Sequence, residues 1–301
     1  MRYVLGIDAG GTKTVGMLAD ETGHVVGEAR TDAANLYTHG ELAVEKAFDA
    51  IVETFGTDRR PSAVCVGIAG VDRPHDQGVV LEILRRLGFR ERVRAVNDAI
   101  IALHAGAPER FGIVVLAGTG SICYGVARDG RLARSGGYGS LLADEGSGYW
   151  LGHQALRASV RALDGRGPAT RLQPLTFAAI EAETMADVVR RVYEEALPKH
   201  RIAALAGNVQ RASDGGDPLA ADLIQRGAQE LALAARAVAR QLDFGGEPFP
   251  VVVAGGAFKA CPGMMEPLER ALEMPAARLL QLRNEPATGA VALALDLVKT
   301  S

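Results

Sequence analysis

The opening pattern of the chain is present twice. Residues Tyr3–Arg30 combine an apolar strand, a glycine-threonine turn, a second strand, a polar hairpin and a third strand, and Gly112–Arg134 repeat this order. The first glycine turn is Asp8–Thr14 and the second is Ala117–Ser121. Two equivalent turns on two equivalent half-molecules predict a pair of backbone cradles that face each other. Because the N–H groups of such cradles bind phosphate oxygens, the repeat favours a nucleotide-dependent enzyme.

The repeat continues beyond the glycine turns. Each half reads β-β-β-α-β-α-β-α, and this alternation predicts an α/β fold with a mostly parallel central sheet covered by helices. In the first half, the further elements are a helix opened by a capping box at Thr38–Glu41, a strand at Ala63–Ile68, a helix at Gln77–Leu87, a strand at Val93–Val96 and a helix at Asp98–Ala105. In the second half, they are a helix from about Gly148, a strand at Val251–Ala254, a helix near Met264–Leu272, a strand at Arg278–Leu282 and a helix at Thr288–Lys299.

The chain has 301 residues, which is enough for two domains. Ala107–Gly112 is the natural boundary between the halves, so we predict an N-terminal domain over residues 1–109 and a C-terminal domain over residues 110–301. An insertion of about residues 151–244 interrupts the second half and is predicted to be wholly helical. Within it, Leu231, Ala235, Val238 and Leu242 share one helix face. The last helix is expected to be able to pack back on the N-terminal domain.

Composition narrows the functional classes. The net charge of −3 argues against a nucleic-acid partner, because binding to a phosphate backbone needs a basic surface. No apolar run is long enough to cross a bilayer, and the first one carries Asp8, which is unlike a signal peptide. Cys65, Cys123 and Cys261 lie far apart and outside any CxxC motif, so they suggest neither a disulfide framework nor a zinc site. We therefore expect a cytoplasmic protein without a membrane partner.

The glycine turns carry the candidate phosphate contacts. Glycine lets backbone N–H groups approach phosphate oxygens, and hydroxyl groups add hydrogen bonds. Asp8 lies at a strand end, where its carboxylate could hold Mg²⁺ through water. The first turn lacks the spacing of a Walker loop and, taken alone, reads equally well as an ordinary glycine-rich hairpin. The candidates are Gly10, Gly11, Thr12, Lys13 and Thr14 in the first turn and Thr119, Gly120 and Ser121 in the second.

A third glycine segment follows an apolar strand near the C-terminus. The strand Val251–Ala254 runs directly into Gly255, Gly256 and Ala257. Small residues at these positions would let a flat base or a ribose lie against the backbone. Taken alone, the segment reads more simply as a strand-to-helix turn.

Four motifs together resemble the sugar kinase/Hsp70/actin superfamily. They are Asp8–Thr14, Gly118–Ser121, Val253–Ala257 and Pro286–Ala290, and they follow the superfamily's order along almost the whole chain. Within it, the chain is similar to the BadF/BadG/BcrA/BcrD ATPase family, in particular to its N-acetylglucosamine kinase branch. The resemblance implies two ribonuclease H-like domains that close over ATP. It assigns the first two motifs to the phosphates and the third to the adenosine.

The resemblance also implies roles for single residues. Asp98 matches the catalytic aspartate that accepts the hydroxyl proton in phosphoryl transfer, although capping of the following helix would explain it as well. Asp144 and Glu145 match the sugar segment, but either could instead cap the helix from Gly148. Human-type kinases of the family carry a tryptophan near Tyr138 and a serine near Ala69, so the exact sugar stays open. The implied sugar contacts are Asn35, Asp98, Thr119, Tyr138, Asp144 and Glu145.

What the resemblance implies is an ATP- and Mg²⁺-dependent kinase acting on an amino sugar, foremost N-acetylglucosamine at its 6-hydroxyl. Glucosamine or another hexose is the alternative substrate. An iron–sulfur activator ATPase of the same broad family is a different class. It needs cysteines that bridge a cluster, and Cys123 lies within a strand instead. A non-catalytic sugar sensor is disfavoured by the intact Asp98. The expected partners are a small-molecule sugar and ATP, and a homodimer is compatible with the resembled kinases.

Overall fold

The computed structural model describes residues 2–299, and its contacts divide them into two compact units. The first unit holds the chain up to Val114, the segment Gly125–Arg131 and the chain from Leu280 onward. The second unit holds Val115–Tyr124 and Leu132–Leu279. The domain boundary expected between residues 109 and 110 stays a prediction.

The first sheet has five strands in a mixed arrangement. They are β1 (Tyr3–Ala9), β2 (Thr14–Asp20), β3 (Val25–Thr31), β4 (Ala63–Ile68) and β5 (Val93–Asn97), in the spatial order β3-β2-β1-β4-β5. β2 pairs antiparallel with β1 and β3, whereas β4 pairs parallel with β1 and β5. Four of the five strands therefore run in the same direction, as expected for a mostly parallel sheet, and β2 runs against them because the short turns after β1 and β2 join antiparallel neighbours.

The second sheet repeats this order of strands. It contains β6 (Gly112–Ala117), β7 (Ser121–Val126), β8 (Leu132–Gly136), β9 (Phe249–Ala254) and β10 (Ala277–Gln281), arranged as β10-β9-β6-β7-β8. Read from the other edge, the arrangement matches the first sheet strand for strand. The duplicated α/β fold predicted from the sequence is therefore confirmed.

Helices of the first half cover the first sheet. They are α1 (Leu36–His39), α2 (Glu41–Phe55), α3 (Pro74–Arg86) and α4 (Asp98–Gly106). The largest side chains of the buried cluster come from the sheet and from α2 and α3, and include Leu5, Ile7, Leu18, Phe48, Ile51, Ile68, Ile83 and Leu84. This cluster supports the carboxyl ends of β1, β4 and β5, where polar side chains gather.

The capping box predicted at Thr38–Glu41 is wrong. Asn35 caps α1 instead, with Oδ1 accepting hydrogen bonds from the N–H groups of Tyr37 at 3.0 Å and Thr38 at 3.1 Å. Thr38 therefore lies inside a helical turn and cannot cap the next helix. The cap of α2 is Gly40, whose φ of 79° lets the chain turn between the two helices.

The insertion is helical throughout, as predicted. It contains α5 (Gly148–Leu163), α6 (Leu172–Ala179), α7 (Met185–Val189), α8 (Lys199–Ala204), α9 (Ala206–Asp214) and α10 (Pro218–Leu242), with a π-helical turn at Arg190–Glu194. The four residues predicted to share a face of α10 are all buried. A separate small cluster that includes Leu156, Phe177, Ile202 and Leu205 packs these helices together.

The remaining helices are α11 (Gly256–Ala260), α12 (Met265–Leu272) and α13 (Ala287–Lys299). α13 packs against β1 and α4 at two points of backbone contact. A Cβ atom on Gly6 would lie 2.4 Å from the backbone nitrogen of Val291, and one on Gly289 would lie 1.9 Å from the carbonyl oxygen of Ile101. Only glycine permits this approach, so both positions fix α13 and the segment just before it against the first sheet.

Candidate functional site

The residues predicted for the site fall into two groups, one in each unit. The first unit contains Asp8, Gly10, Gly11, Thr12, Lys13, Thr14, Asn35 and Asp98. The second unit contains Thr119, Gly120, Ser121, Tyr138, Asp144, Glu145, Gly255, Gly256 and Ala257.

Three carboxylates gather at one edge of the first sheet. The register pairs Ala9 with Ile68 and Ile68 with Asn97, so the carboxyl ends of β1, β4 and β5 are aligned. Open α/β sheets bind their ligands at this edge. Asp8 belongs to the end of β1, Asp98 directly follows β5, and Asp72 lies four residues after the end of β4.

Asp98 lies between a strand and a helix, half-buried. Its Oδ1 and the Oδ1 of Asn97 both accept a hydrogen bond from the N–H of Ala99 at 2.9 Å. Asn97 is the N-cap of α4, so capping alone does not account for Asp98. Burial raises the pKa of Asp98 to about 6, and the charge of Asp72 acts in the same direction. Such a carboxylate is still largely ionised at pH 7 and is a stronger proton acceptor than an ordinary aspartate.

Asp72 holds the residue next to Asp98. The Nδ2 of Asn97 donates to Oδ1 of Asp72 at 3.0 Å, while Oδ1 of Asn97 serves the helix cap. Both ends of the Asn97 amide are therefore fixed, and the start of α4 is fixed with them. Asp72 was not predicted as a site residue. The strand-end argument that identified Asp98 applies equally to Asp72, which follows β4.

The carboxylate of Asp8 lies in a region of excess negative charge. Burial raises the pKa of Asp8 to about 7, and repulsion from Asp98 and Glu285 adds to the rise, while Lys13 opposes it. Within residues 2–299, no three His, Cys, Asp or Glu side chains are grouped to hold a metal. Mg²⁺ needs no such group, since it keeps several waters and binds one or two carboxylates together with substrate phosphates. The oxygen donor and the uncompensated charge at Asp8 fit Mg²⁺.

The first glycine loop, Gly10–Lys13, presents free backbone donors. The N–H of Gly10 closes the turn on the carbonyl oxygen of Lys13 at 3.0 Å. In the described part of the chain, no group accepts from the N–H groups of Gly11 and Thr12. Both residues are exposed, and a Cβ on Gly11 would meet no atom within 4 Å. Consecutive free N–H groups in an open turn are a common binding site for anions.

Thr14 is removed from the predicted phosphate contacts. It is fully buried at the start of β2, and its hydroxyl donates to the carbonyl oxygen of Asp32 at 2.7 Å. Its side chain thus has no surface left for a ligand and instead holds the loop to the segment after β3.

Lys13 is paired with Glu285, a residue that no sequence motif marks. Its Nζ lies 2.9 Å and 3.2 Å from the two carboxylate oxygens of Glu285. Glu285 is separated from Lys13 by 272 positions, and no local pattern marks it. Lys13 remains nearly half exposed, so the pair lies at the surface of the loop.

Asn35 has a structural role that accounts for its position. Besides capping α1, its Nδ2 lies 3.5 Å from the carbonyl oxygen of Ala69, the first residue after β4. Tyr37 continues this contact, since its hydroxyl donates to Asp76 at 2.8 Å and its ring covers Gly70. These bonds fix the loops that lie next to Asp72 and Asp98. A sugar contact by Asn35 stays a proposal.

The second glycine loop, Gly118–Gly120, follows the same plan. The N–H of Gly118 closes the turn on the carbonyl oxygen of Gly120 at 2.8 Å. The first N–H groups of α5, from Gly148 and Tyr149, donate to the carbonyl oxygens of Gly118 and Thr119 at 2.8 and 3.2 Å. Among the described residues, the N–H groups of Thr119 and Gly120 have no acceptor. The carbonyls of the loop are thus occupied and its N–H groups are available.

Asp144 lies directly beside this second loop. A Cβ on Gly120 would lie 2.9 Å from Oδ2 of Asp144, which shows how closely the carboxylate approaches the loop. Asp144 is buried and adopts a φ of 68°, an uncommon conformation for aspartate. Burial raises the pKa of Asp144, while hydrogen bonds from the backbone of Ser121 and Gly139 oppose the rise. A buried carboxylate in a strained turn is typical of a binding site.

Ser147, rather than Asp144 or Glu145, caps α5. Its Oγ accepts from the N–H of Trp150 at 3.0 Å, so the capping alternative for the two carboxylates is wrong. Glu145 is exposed, and its carbonyl oxygen accepts from Oγ of Ser121 at 2.8 Å. Ser121 therefore ties the second loop to the Asp144–Glu145 segment.

The other predicted contacts of the second unit differ in exposure. Tyr138 is 60% exposed, and the guanidinium of Arg134 lies 4.4 Å from its ring centre. Gly255 has a φ of 112°, and a Cβ there would lie 2.1 Å from the carbonyl oxygen of Ala117. Gly256 is exposed, whereas the side chain of Ala257 is buried. Ala257 can therefore meet a ligand only through its backbone.

Comparison with known proteins agrees with this architecture. The model of the BadF/BadG/BcrA/BcrD ATPase family matches residues 5–294. The chain belongs to this family. The predicted resemblance is thereby confirmed, and the glycine loops described above are those of a family member.

Relatives of this family member are named as amino-sugar kinases. An N-acetylmuramic acid/N-acetylglucosamine kinase from Clostridium acetobutylicum is 33% identical over 98% of both chains. An N-acetyl-D-glucosamine kinase from Dictyostelium discoideum is 29% identical over 98% of both chains. The crystal structure of a candidate N-acetylglucosamine kinase from Chromobacterium violaceum covers 98% of this chain and 99% of its own, with 28% identity and a TM-score of 0.78.

The cysteines of the chain do not offer exposed thiolates. Cys65, Cys123 and Cys261 are buried, and burial raises the pKa of each thiol to about 12. They are core residues, which does not support the iron–sulfur activator alternative. Across residues 2–299, no helix has both the length and the apolar character that a bilayer span requires.

Proposed function

We propose that this protein is an ATP-dependent kinase that phosphorylates an amino sugar, with N-acetylglucosamine and its 6-hydroxyl as the first candidates. The observation that carries the proposal is the repeated glycine loop. Among the described residues, two consecutive N–H groups of each loop have no acceptor, and a half-buried or buried carboxylate lies next to the loop, Asp8 in the first unit and Asp144 in the second. The family membership and the named relatives support the same activity.

Asp98 is the proposed general base. A sugar hydroxyl loses its proton as it attacks the γ-phosphate, and an acceptor with a pKa near the working pH assists most. The pKa of Asp98, raised to about 6, meets this requirement. Asp72 and Asn97 are not proposed to touch the sugar, and they keep the start of α4 in place.

The nucleotide is proposed to contact Gly10, Gly11, Thr12 and Lys13 in the first unit, and Thr119, Gly120 and Ser121 in the second. These positions offer backbone N–H groups, hydroxyls and one ammonium group. Asp8 would hold Mg²⁺ through water, and the cation neutralises phosphate charge when it is bound. Gly255, Gly256 and the backbone of Ala257 are proposed at the adenosine, because their small size leaves room for a flat group.

The sugar is proposed to contact Asn35, Thr119, Tyr138, Asp144 and Glu145 in addition to Asp98. Carboxylates accept two hydrogen bonds from neighbouring hydroxyls, and Asp144 is held for this purpose by the backbone around the second loop. Tyr138 offers an exposed aromatic ring of the kind that packs against a sugar face.

The cytoplasm is the proposed location of the protein, because the proposed reaction requires ATP. A homodimer is proposed from the resembled kinases.

A substrate panel tests the proposal. Purified protein with ATP and Mg²⁺ is assayed for ADP release with N-acetylglucosamine, glucosamine, glucose, N-acetylmannosamine and N-acetylmuramic acid. We expect turnover that depends on an amino sugar, and ADP release that is independent of every sugar would overturn the kinase proposal. Light scattering during gel filtration, with and without ATP, tests the homodimer.

A further inference from the structure

Glu285 reaches the first glycine loop from the other end of the chain. Its two carboxylate oxygens accept hydrogen bonds from Nζ of Lys13 at 2.9 and 3.2 Å. Nη2 of Arg30 donates to the same carboxylate at 3.0 Å, and Nε of Arg30 donates to Glu28 at 2.6 Å. Glu285 is therefore the shared acceptor for two cations that flank the loop.

The backbone of Glu285 is rigidly placed. Its carbonyl oxygen accepts from the N–H of Thr288 at 3.0 Å and from the hydroxyl of Thr288 at 2.8 Å, in the first turn of α13. α13 is in turn fixed against β1 and α4 by the contacts at Gly6 and Gly289. The carboxylate thus extends from an anchor that is part of the first unit's core.

Lys13, by contrast, has a long flexible side chain on an exposed loop. The second glycine loop has no residue that corresponds to it, because it is one residue shorter. An isolated lysine in such a place samples many rotamers, and ordering it on binding costs conformational entropy. A partner that orders it beforehand lowers that cost when a phosphate arrives.

We propose that Glu285 is a positioning residue for ATP, which holds the ammonium of Lys13 beside the first glycine loop in readiness for a phosphate oxygen. This inference rests on the proposed function. Exposed ion pairs contribute little to stability, so the contribution of Glu285 lies in orientation. The nearby Arg30, bound to the same carboxylate, keeps Glu285 in place when the ammonium turns to a phosphate.

The test is a double-mutant cycle with Glu285→Ala, Lys13→Met and the combination. We expect Glu285→Ala to raise the KM for ATP about two- to fivefold with the KM for the sugar unchanged. Lys13→Met raises the KM for ATP at least as much as Glu285→Ala does. Adding Glu285→Ala to Lys13→Met has no further effect on this KM, because the ammonium group that Glu285 positions is no longer present. Glu285→Gln, which keeps one hydrogen-bond acceptor, gives an intermediate value.

Glu28→Ala is the matched control, since it removes an equal charge that contacts Arg30 but not Lys13, and we expect no change in the KM for ATP. An unchanged or lowered KM in Glu285→Ala, or an equal effect of Glu285→Ala with and without Lys13, would overturn the inference. Binding of a non-hydrolysable ATP analogue, measured by calorimetry in all variants, separates this outcome from failure of the proposed function. A wild-type protein without sugar-dependent turnover would contradict the kinase, while the analogue affinities would still decide the role of Glu285.

Discussion

The two glycine loops share a backbone plan and differ in charge. When the strand ends Ala9 and Ala117 are aligned, Asp8 corresponds to Leu116 and Thr14 to Ser121. In both loops the first glycine N–H closes the turn, and the next N–H groups have no acceptor among residues 2–299. The first loop, however, is surrounded by Asp8, Lys13 and Glu285, whereas the second has an apolar residue in place of Asp8.

This difference indicates a division of labour between the copies. The free N–H groups need only backbone geometry, so both copies keep them. Titratable groups with raised pKa values near neutrality are typical of reacting centres, and in the first unit Asp8 and Asp98 have them. The second unit instead has a buried carboxylate beside its glycine loop, Asp144, which backbone donors hold in place. We therefore expect changes at Asp8 and Asp98 to act mainly on kcat and changes at Asp144 mainly on the sugar KM.

The largest expected effect is the contrast between Asp98→Asn and Asp144→Asn. Asp98→Asn should lower kcat by about 10²–10⁴-fold, the usual contribution of a general base, with nucleotide affinity retained. Asp144→Asn should mainly raise the sugar KM, because it weakens binding without removing the base. Steady-state kinetics with both substrates varied measures each constant. Equal effects of the two variants on kcat would contradict the division of labour.

A second contrast compares the residues that directly follow two equivalent strands. Gly255 follows β9 and Ala69 follows β4, and each approaches the end of a neighbouring strand. The N–H of Ala69 lies 3.4 Å from the carbonyl oxygen of Ala9, so a side chain is tolerated there, whereas a Cβ on Gly255 would collide with Ala117. Gly255→Ala should therefore lower the free energy of unfolding by about 2–4 kcal/mol, combining a steric clash with a strained φ.

The matched control for that contrast is Gly256→Ala, whose Cβ would meet no atom within 4 Å. It starts a short helix, and we expect it to leave the free energy of unfolding within about 1 kcal/mol of the wild type. Urea denaturation of both variants provides the comparison. A loss of stability in Gly256→Ala as large as in Gly255→Ala would show that the close approach to Ala117 is not the cause.

The charge around the first loop predicts a pH-dependent stability. Asp8 has a pKa of about 7 in the folded protein, above the value near 4 expected in the unfolded chain. Its ionisation therefore opposes folding, and stability is lost as the pH rises from about 4 through 7. Asp8→Asn removes this loss, so its stability relative to the wild type should increase by about 1–2 kcal/mol between pH 5 and pH 8, after allowance for partial exposure.

Urea denaturation at several pH values, without divalent cations, measures this difference. Asp58→Asn, which removes one exposed carboxylate, is the control for the substitution itself. Addition of Mg²⁺ with an ATP analogue should stabilise the wild type more than Asp8→Asn. A pH-independent difference between Asp8→Asn and the wild type would show that the negative charge at the first loop is compensated.

The smallest expected effect concerns the two buried hydroxyls that correspond to each other. Thr14 donates to Asp32 and Ser121 donates to Glu145, each through a bond to a backbone carbonyl. Thr14→Val and Ser121→Ala should each cost about 1 kcal/mol of stability, the usual value for one hydrogen bond. Only Ser121→Ala should also raise the sugar KM, because Ser121 ties the loop to the Asp144 segment. A raised sugar KM in Thr14→Val alone would reverse this assignment.

Local patterns in the sequence were sufficient for the order of elements, the helical insertion and the family. The duplication could be predicted because strand periodicity and glycine turns are local signals. Asp98 could be predicted as a site residue because it directly follows a strand. The mostly parallel direction of the first sheet was also predictable, and β2 is the exception because tight turns join it to β1 and β3. Thr14 was misassigned because its position in a glycine-threonine turn is typical of a phosphate loop, and only the fold shows that its side chain is buried.

Residues that act through distant contacts were not predictable. Glu285 meets Lys13 only because α13 docks on β1, a contact that depends on glycines in separate segments. The caps Asn35 and Ser147 were missed for a different reason, since neighbouring polar residues offered equally good capping patterns. Asp72, however, satisfied the same strand-end rule as Asp98 and could have been found.

The most direct test of the account is to identify the product. Protein, Mg-ATP and N-acetylglucosamine are incubated, and the mixture is followed by phosphorus NMR with correlation to the sugar protons, beside Asp98→Asn. We predict a single phosphate ester at the 6-position that grows as ATP declines, and almost none in the variant. Inorganic phosphate as the only product, or an ester formed equally fast by Asp98→Asn, would contradict the account.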